Sequence, residues 1–291
     1  MRGLTAILVF AVILAFAGAF ALSSRGESSS AAPAQTAVQF PGGRVVDLTY
    51  PFNARTIYWP TAKTFTLTKV FEGETEGGYF YAANDYEAAE HGGTHLDAPI
   101  HFARGGYKTD EIPLNRLMGD AVVIDVTARA LRNRDYLVSV SDLLAWERAN
   151  GRIPRRSIVV LRTGYGRFWP DRERYMGTAE LGEQAVPKLH FPGLGPTAAR
   201  WLVRNRALKA VGIDTPSIDY GQSSLFRSHR ILGAANVPVF ENLANVNRLP
   251  LEGFAVVALP MKIDRGSGGP LRAIAIIGGQ PGGMAAALAG R

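Results

Sequence analysis

The 291-residue chain contains no cysteine. That absence excludes disulfides, thiolate nucleophiles, cysteine metal ligands and lipid attachment through a cysteine. Histidine is scarce, with five copies. No G-x-S-x-G occurs, since GQSSL and RGSGG both depart from it, so the usual mark of a serine hydrolase is missing. A dense basic arm is also missing. The net charge of +7 comes from arginines scattered among aliphatic runs, which argues against a nucleic-acid partner. The positive balance instead favours an anionic or carboxylate-bearing small molecule.

With 47% hydrophobic and 20% charged residues, a chain of this length has the means to bury one large core. Arg2 precedes an unbroken apolar run from Leu4 to Leu22, and Ala19-Phe20-Ala21 supplies small residues for cleavage. Residues 1–21 therefore read as an export signal peptide, with an uncleaved membrane anchor as the alternative. The expected location is periplasmic or secreted, or membrane-anchored if the segment stays. Residues 22–39, small and polar without an apolar period, read as a flexible linker. The folded domain is expected over 40–280, followed by a Gly-rich tail over 281–291.

Short β-rich runs alternate with helical stretches, which describes an α/β domain. Strands are expected at Val45 to Leu48, Phe65 to Phe71, Ala121 to Val126, Ile158 to Leu161, Ala210 to Ile213, Ala255 to Leu259 and Ile274 to Ile277. Several are continuously apolar, as strands covered on both faces are. Helices are expected at Ser141 to Asn150, capped by Ser141 and ended by Gly151, and at Thr197 to Asn205 after Pro196.

Three of the five histidines, His91, His95 and His101, share the segment HGGTHLDAPIHF with Asp97. If residues 94–98 run extended, His95 and Asp97 project to one face and reach a common ion. Gly92 and Gly93 allow a tight turn that brings His91 in as a third ligand. Three such ligands leave a position open for water, the arrangement of a catalytic metal site. An aspartate buried beside histidines is otherwise an expensive charge without a compensating cation. Pro99 fixes the exit of the chain, and His101 stands four residues beyond Asp97 as a base that need not bind metal. His190 reads as a hydrogen-bonded core residue.

The segment HGGTHLDAPIHF resembles the H-x-G-T-H-x-D-x-P-x-H signature of the cyclase family, which contains bacterial kynurenine formamidases and isatin hydrolases. Further resemblance lies in DTPSID from Asp214, RTGYG from Arg162 and Tyr58-Trp59-Pro60. The resemblance implies a swivelling β/β/α fold with a mixed sheet, assembled as homodimers or homotetramers with the site near a subunit interface. It also implies a first metal on His91, His95 and Asp97, with Asp97 bridging to a second held by a histidine and a glutamate twelve positions apart. His229 and Glu241 have that spacing. On residues alone they read as a loop histidine and a strand-end carboxylate, so their pairing rests on the resemblance.

The expected activity is hydrolysis of a C–N bond in an amide, formamide or lactam by metal-activated water, with one or two zinc or manganese ions and His101 carrying the proton. Tyr58, Trp59, Phe80 and Phe102 are candidates to line an aromatic pocket, core packing being the commoner role for Phe80. The segments 71–90 and 168–186 look like additions to a compact kynurenine formamidase that reshape the entrance. The alternative is an exported binding module that holds metal without turnover. His101 discriminates the two, because capture needs only ligands and hydrolysis needs a proton carrier.

Overall fold

The structure, a computed structural model, describes residues 43–278. The expected export segment, the linker and the C-terminal tail lie outside the described residues. The strands are β1 (Arg44–Asp47), β2 (Thr66–Glu74), β3 (Phe80–Glu87), β4 (His95–Asp97), β5 (Met118–Asp125), β6 (Leu137–Val138), β7 (Ile158–Arg162), β8 (Gly193–Leu194), β9 (Ala210–Ile213), β10 (Val239–Glu241), β11 (Phe254–Pro260) and β12 (Gly268–Ile277). Eight of them form a mixed sheet in the order β1-β12-β11-β5-β7-β9-β10-β4. Strand β12 closes it. Its first residues, Gly268 to Pro270, pair with β4, and its remainder pairs with β11 and β1. The expected α/β fold with a mixed sheet is therefore present, rolled into a barrel.

The apolar runs in β5 and β7 serve two cores at once. Ala121, Val123, Ile158 and Val160 join a cluster with Leu96, Phe240, Val256 and Ala273. Their neighbours Val122, Ile124, Val159 and Leu161 face the opposite way and pack with Leu143, Trp146, Ala198 and Leu202 on two helices. Strand alternation sends successive side chains to opposite faces, so a strand covered on both sides reads as an unbroken apolar run. Each fully buried Leu, Ile or Val contributes roughly 1.5–3 kcal/mol.

The expected strands are all present, with shifted ends; β12 starts six residues before Ile274 because Gly268 to Pro270 close the barrel on β4. The helix Val140–Asn150 is capped by Ser139 rather than Ser141. Ser139 accepts from the Asp142 amide, and the Asp142 carboxylate accepts from the Ser139 amide in return. It ends at Gly151 as expected. The helix Pro196–Arg206 begins with its proline, whose missing N–H costs nothing in the first turn. Phe80 is not a core residue. It is 61% exposed on the β2–β3 hairpin, an arm with one strand partner and no second layer beneath it. His190 is hydrogen bonded to Asp135 but only partly buried.

Candidate metal centre

The site is built at β4 and its neighbour β10, two three-residue strands of the barrel. Gly93, at φ +56°, turns the chain into it. His95 and Asp97, two residues apart, then face the same side while Leu96 enters the core. The antiparallel pairing with β10 sets Glu241 directly across from His95. His229 arrives on the helix Arg227–Ala234, so it is a helical residue and not the loop histidine expected. The sequence RSHRILGA carries no capping residue, and its apolar stripe is too short to stand out. Gly268 is needed for space: a Cβ there would come within 2.4 Å of the His91 ring.

Asp97 is the hub. Its Oδ1 lies 2.7 Å from His91 Nδ1 and 3.2 Å from His95 Nε2, and its Oδ2 lies 2.9 Å from His229 Nε2. Glu241 lies 3.1 Å from His229 Nε2 and 3.5 Å from His95 Nε2. His101 stacks on His91 at 3.8 Å between ring centroids. Two sets of donor atoms converge closely enough to share an ion: His91, Asp97 and His101, and His95, Asp97 and Glu241. All six predicted side chains thus meet in one cluster, buried except for the partly exposed His91 and His101, with His95 placed between the two carboxylates.

The outward nitrogens are each held. His95 Nδ1 donates to Gly93 O at 3.0 Å, and His229 Nδ1 donates to Asp219 Oδ2 at 2.8 Å. His91 Nε2 bonds Ser267 Oγ at 2.9 Å, and Ser267 donates in turn to Glu90 at 2.5 Å. Asp219 is itself fixed by the amides of Ser228 and His229. Fixing one ring nitrogen in this way sets the tautomer and leaves the lone pair of the other facing inward, as in metal-binding histidines. The donor set is imidazole nitrogen and carboxylate oxygen throughout, which suits zinc or manganese. Ser267 and Glu90 were not singled out from sequence, and Asp219 entered only as the last residue of DTPSID, without a role, because none shows a spacing of its own towards the ring it supports.

The charges agree. Burial disfavours ionised Asp97, but His91, His229 and His95 hold its carboxyl well below the usual carboxylate range. Glu241 is pushed up by burial and by Asp97. Burial opposes charge on His229, yet Asp219, Asp97 and Glu241 raise it well above the ordinary imidazole value, and His95 moves the same way. Buried carboxylates here recruit positive charge, which protons supply in the metal-free chain and a divalent ion supplies when bound. Burial pushes His101 the other way, down to about 4, against the pull of Asp97.

A cavity of about 300 Å³ opens over the cluster. Tyr58, Trp59 and Phe102 line it, and so does Phe226, which packs on Trp59 and Phe102. The segment 168–186 supplies Tyr175 and Met176, with Phe168 and Trp169 packed against them, to the small core that backs Trp59, so it builds the wall. The segment 71–90 forms most of the β2–β3 hairpin and reaches the cavity only through Ala89. DTPSID and RTGYG meet as a structural knot. Asp214 accepts from Thr163 N, Thr163 Oγ1 and Gly164 N at 2.7–2.9 Å. Arg162 ties to Asp125 and to the carbonyls of Val246 and Leu249.

Barrel and cluster together define an α/β protein with a buried imidazole and carboxylate centre at one end of its sheet. The chain belongs to the cyclase family, whose model, described as "Putative cyclase", matches residues 46–220. It is 31% identical to isatin hydrolase of Roseibium aggregatum over 72% of this chain and 80% of that protein. It is 30% identical to a kynurenine formamidase of Salinibacter ruber, over 63% of this chain and 74% of that one. The solved structure of isatin hydrolase A from Ralstonia solanacearum matches with a TM-score of 0.72 at 31% identity, covering 80% of this chain and 92% of that one.

Proposed function

We propose that this chain is an exported metal-dependent hydrolase that opens the C–N bond of an aromatic amide, formamide or lactam. The observation that carries the reading is the tethering of three histidines by their outer nitrogens, so that their inner nitrogens converge with two buried carboxylates. Relatives named isatin hydrolase and kynurenine formamidase support amide hydrolysis. The apolar run from Leu4 to Leu22 supports export.

His91, His95, Asp97, His229 and Glu241 would hold one or two divalent ions. When bound, such an ion supplies Lewis acidity, making water nucleophilic near neutral pH and offsetting negative charge on the attacked carbonyl oxygen. His101, kept neutral by burial at the cavity wall, is able to accept a proton from that water and return it to the departing nitrogen. Trp59, Phe102 and Phe226 give an aromatic ring an apolar seat and keep bulk water out. A binding module without turnover would use the same ligands; His101 and a cavity of substrate size favour the enzyme. The exposed aromatics of the β2–β3 hairpin, Tyr79, Phe80, Tyr81 and Tyr86, support assembly as a homodimer or homotetramer.

The test is to assay purified protein of known zinc and manganese content on isatin and N-formylkynurenine. Hydrolysis that follows metal content supports the reading. Tight metal binding with no hydrolysis across a formamide, lactam and ester panel would establish the binding module instead.

A further inference from the structure

A second cavity, of about 200 Å³, lies at the opposite ends of the strands that lead to the metal centre. Its residues come from the segments just before β5, β7 and β9: Asn115 and Arg116 on the short helix Leu114–Leu117, Arg155 and Arg156, and Ala207 to Lys209. Four of its seven lining residues are cations. Among the described residues, Arg116, Arg155, Arg156 and Lys209 form no ion pair, as is true of most lysines and arginines there, so no carboxylate already occupies the hollow they surround. Arg206, one turn away on the helix Pro196–Arg206, shows the contrast: Glu147 engages both its Nε and its Nη2.

Three of the four side chains are tethered to backbone carbonyls; Arg116 and Lys209 are half-buried, whereas Arg155 and Arg156 are exposed at the rim. Arg116 Nη1 donates to Leu208 O at 3.1 Å, Lys209 Nζ donates to Met118 O at 2.9 Å, and Arg155 Nη1 reaches Asn205 O at 3.4 Å. Each contact uses one donor and leaves the others free, since a guanidinium carries five and an ammonium three. The backbone is strained at the same place. Arg156 at φ +60° and Ala207 at φ +47° both take the left-handed conformation, although neither is glycine. Two backbone bonds, Arg156 N to Arg206 O and Lys209 N to Ser157 O, lock these turns together. Burial lowers the Lys209 pKa; Asp120 pulls it back up and Arg156 adds to the lowering, so the cations feel one another.

We propose that this cavity is a binding site for a small phosphate-type oxyanion, separate from the metal centre. Four cations with spare donors, three of them tethered, gathered around a hollow with room for about six waters, match a tetrahedral anion in both charge and hydrogen bonding. The site draws its side chains from three separate segments that the barrel strands β5, β7 and β9 bring together.

The experiment is calorimetric titration of the full-length, metal-stripped chain with inorganic phosphate and with pyrophosphate at about 0.15 M salt, where non-specific attraction between exposed charges is screened. Three variants accompany it. Arg116→Gln removes a tethered cation, Arg156→Gly removes a cation while relieving the left-handed strain, and Arg132→Gln removes an exposed cation elsewhere. Each of the first two is expected to weaken binding about tenfold or more, at one charge-assisted bond apiece, with the melting temperature within a few degrees of the parent. Arg132→Gln is expected to leave the affinity unchanged. No saturable binding at that salt, or equal weakening in all three variants, would overturn the proposal. Retention of parental affinity in both Arg116→Gln and Arg156→Gly would do so as well.

Discussion

Two aspartates, Asp97 and Asp214, are each almost fully buried, yet their surroundings treat the same carboxyl group in opposite ways. Asp214 takes its hydrogen bonds from the backbone and hydroxyl of the RTG turn, and burial leaves its pKa raised. Asp97 is ringed by His91, His95 and His229, and its pKa is lowered well below the ordinary range. Neutral donors fasten one loop to another and ask for nothing further. Imidazoles answer a buried charge with groups that exchange protons for metal ions. The type of partner, more than the depth of burial, separates a structural carboxylate from a functional one.

Replacing the hub is the most damaging change. Asp97→Asn is expected to abolish stoichiometric metal binding and reduce hydrolysis further than any other single change, read as metal content and kcat/KM on one preparation. His101→Ala should lower kcat by roughly 10²–10⁴ while metal content stays at the parent level. Unaltered kcat in that variant contradicts its role as proton carrier. Asp219→Asn leaves every inner donor in place but loosens His229, so metal affinity or activity is expected to fall about 10–100-fold.

Acid should act through the same group. His229 is raised well above its ordinary value, so in the metal-free chain it keeps its proton as pH rises past about 6.5. Metal must displace that proton, and affinity therefore rises with pH, by about tenfold per unit for each proton released. Calorimetry at neutral pH in buffers of different ionisation enthalpy reads the proton release directly. The smallest functional effect belongs to the structural aspartate. Asp214→Asn turns an amide NH₂ or a weaker acceptor towards Thr163 and Gly164, for about 1.5–3 kcal/mol of lost stability. Its metal content and its activity per folded molecule are expected to match the parent.

The local part of this site was legible in the sequence because its geometry is local. His95 and Asp97 share a face through strand periodicity, and the glycines before them announce the turn. The long apolar strands were legible for the same reason, since β5, β7 and β9 serve cores on both faces. What spacing alone did not reveal depends on contacts across the barrel. Glu241 becomes a partner of His95 only through the β4–β10 register. The helix under His229 lacks a capping signal, and the outer partners Asp219 and Ser267 reach their histidines only after the barrel has closed. Phe80 misled because an aromatic residue in a strand-like run usually packs inward, whereas β2 and β3 form an arm with no layer under it.

The proposed function requires that the buried cluster hold a divalent ion. It is tested most directly by stripping the purified chain with a chelator, confirming metal removal by elemental analysis, and following isatin or N-formylkynurenine hydrolysis as zinc or manganese is titrated back. No measurable hydrolysis by the stripped protein is expected, with recovery that saturates at one or two ions per chain. Full hydrolysis by protein shown to be free of metal would contradict it.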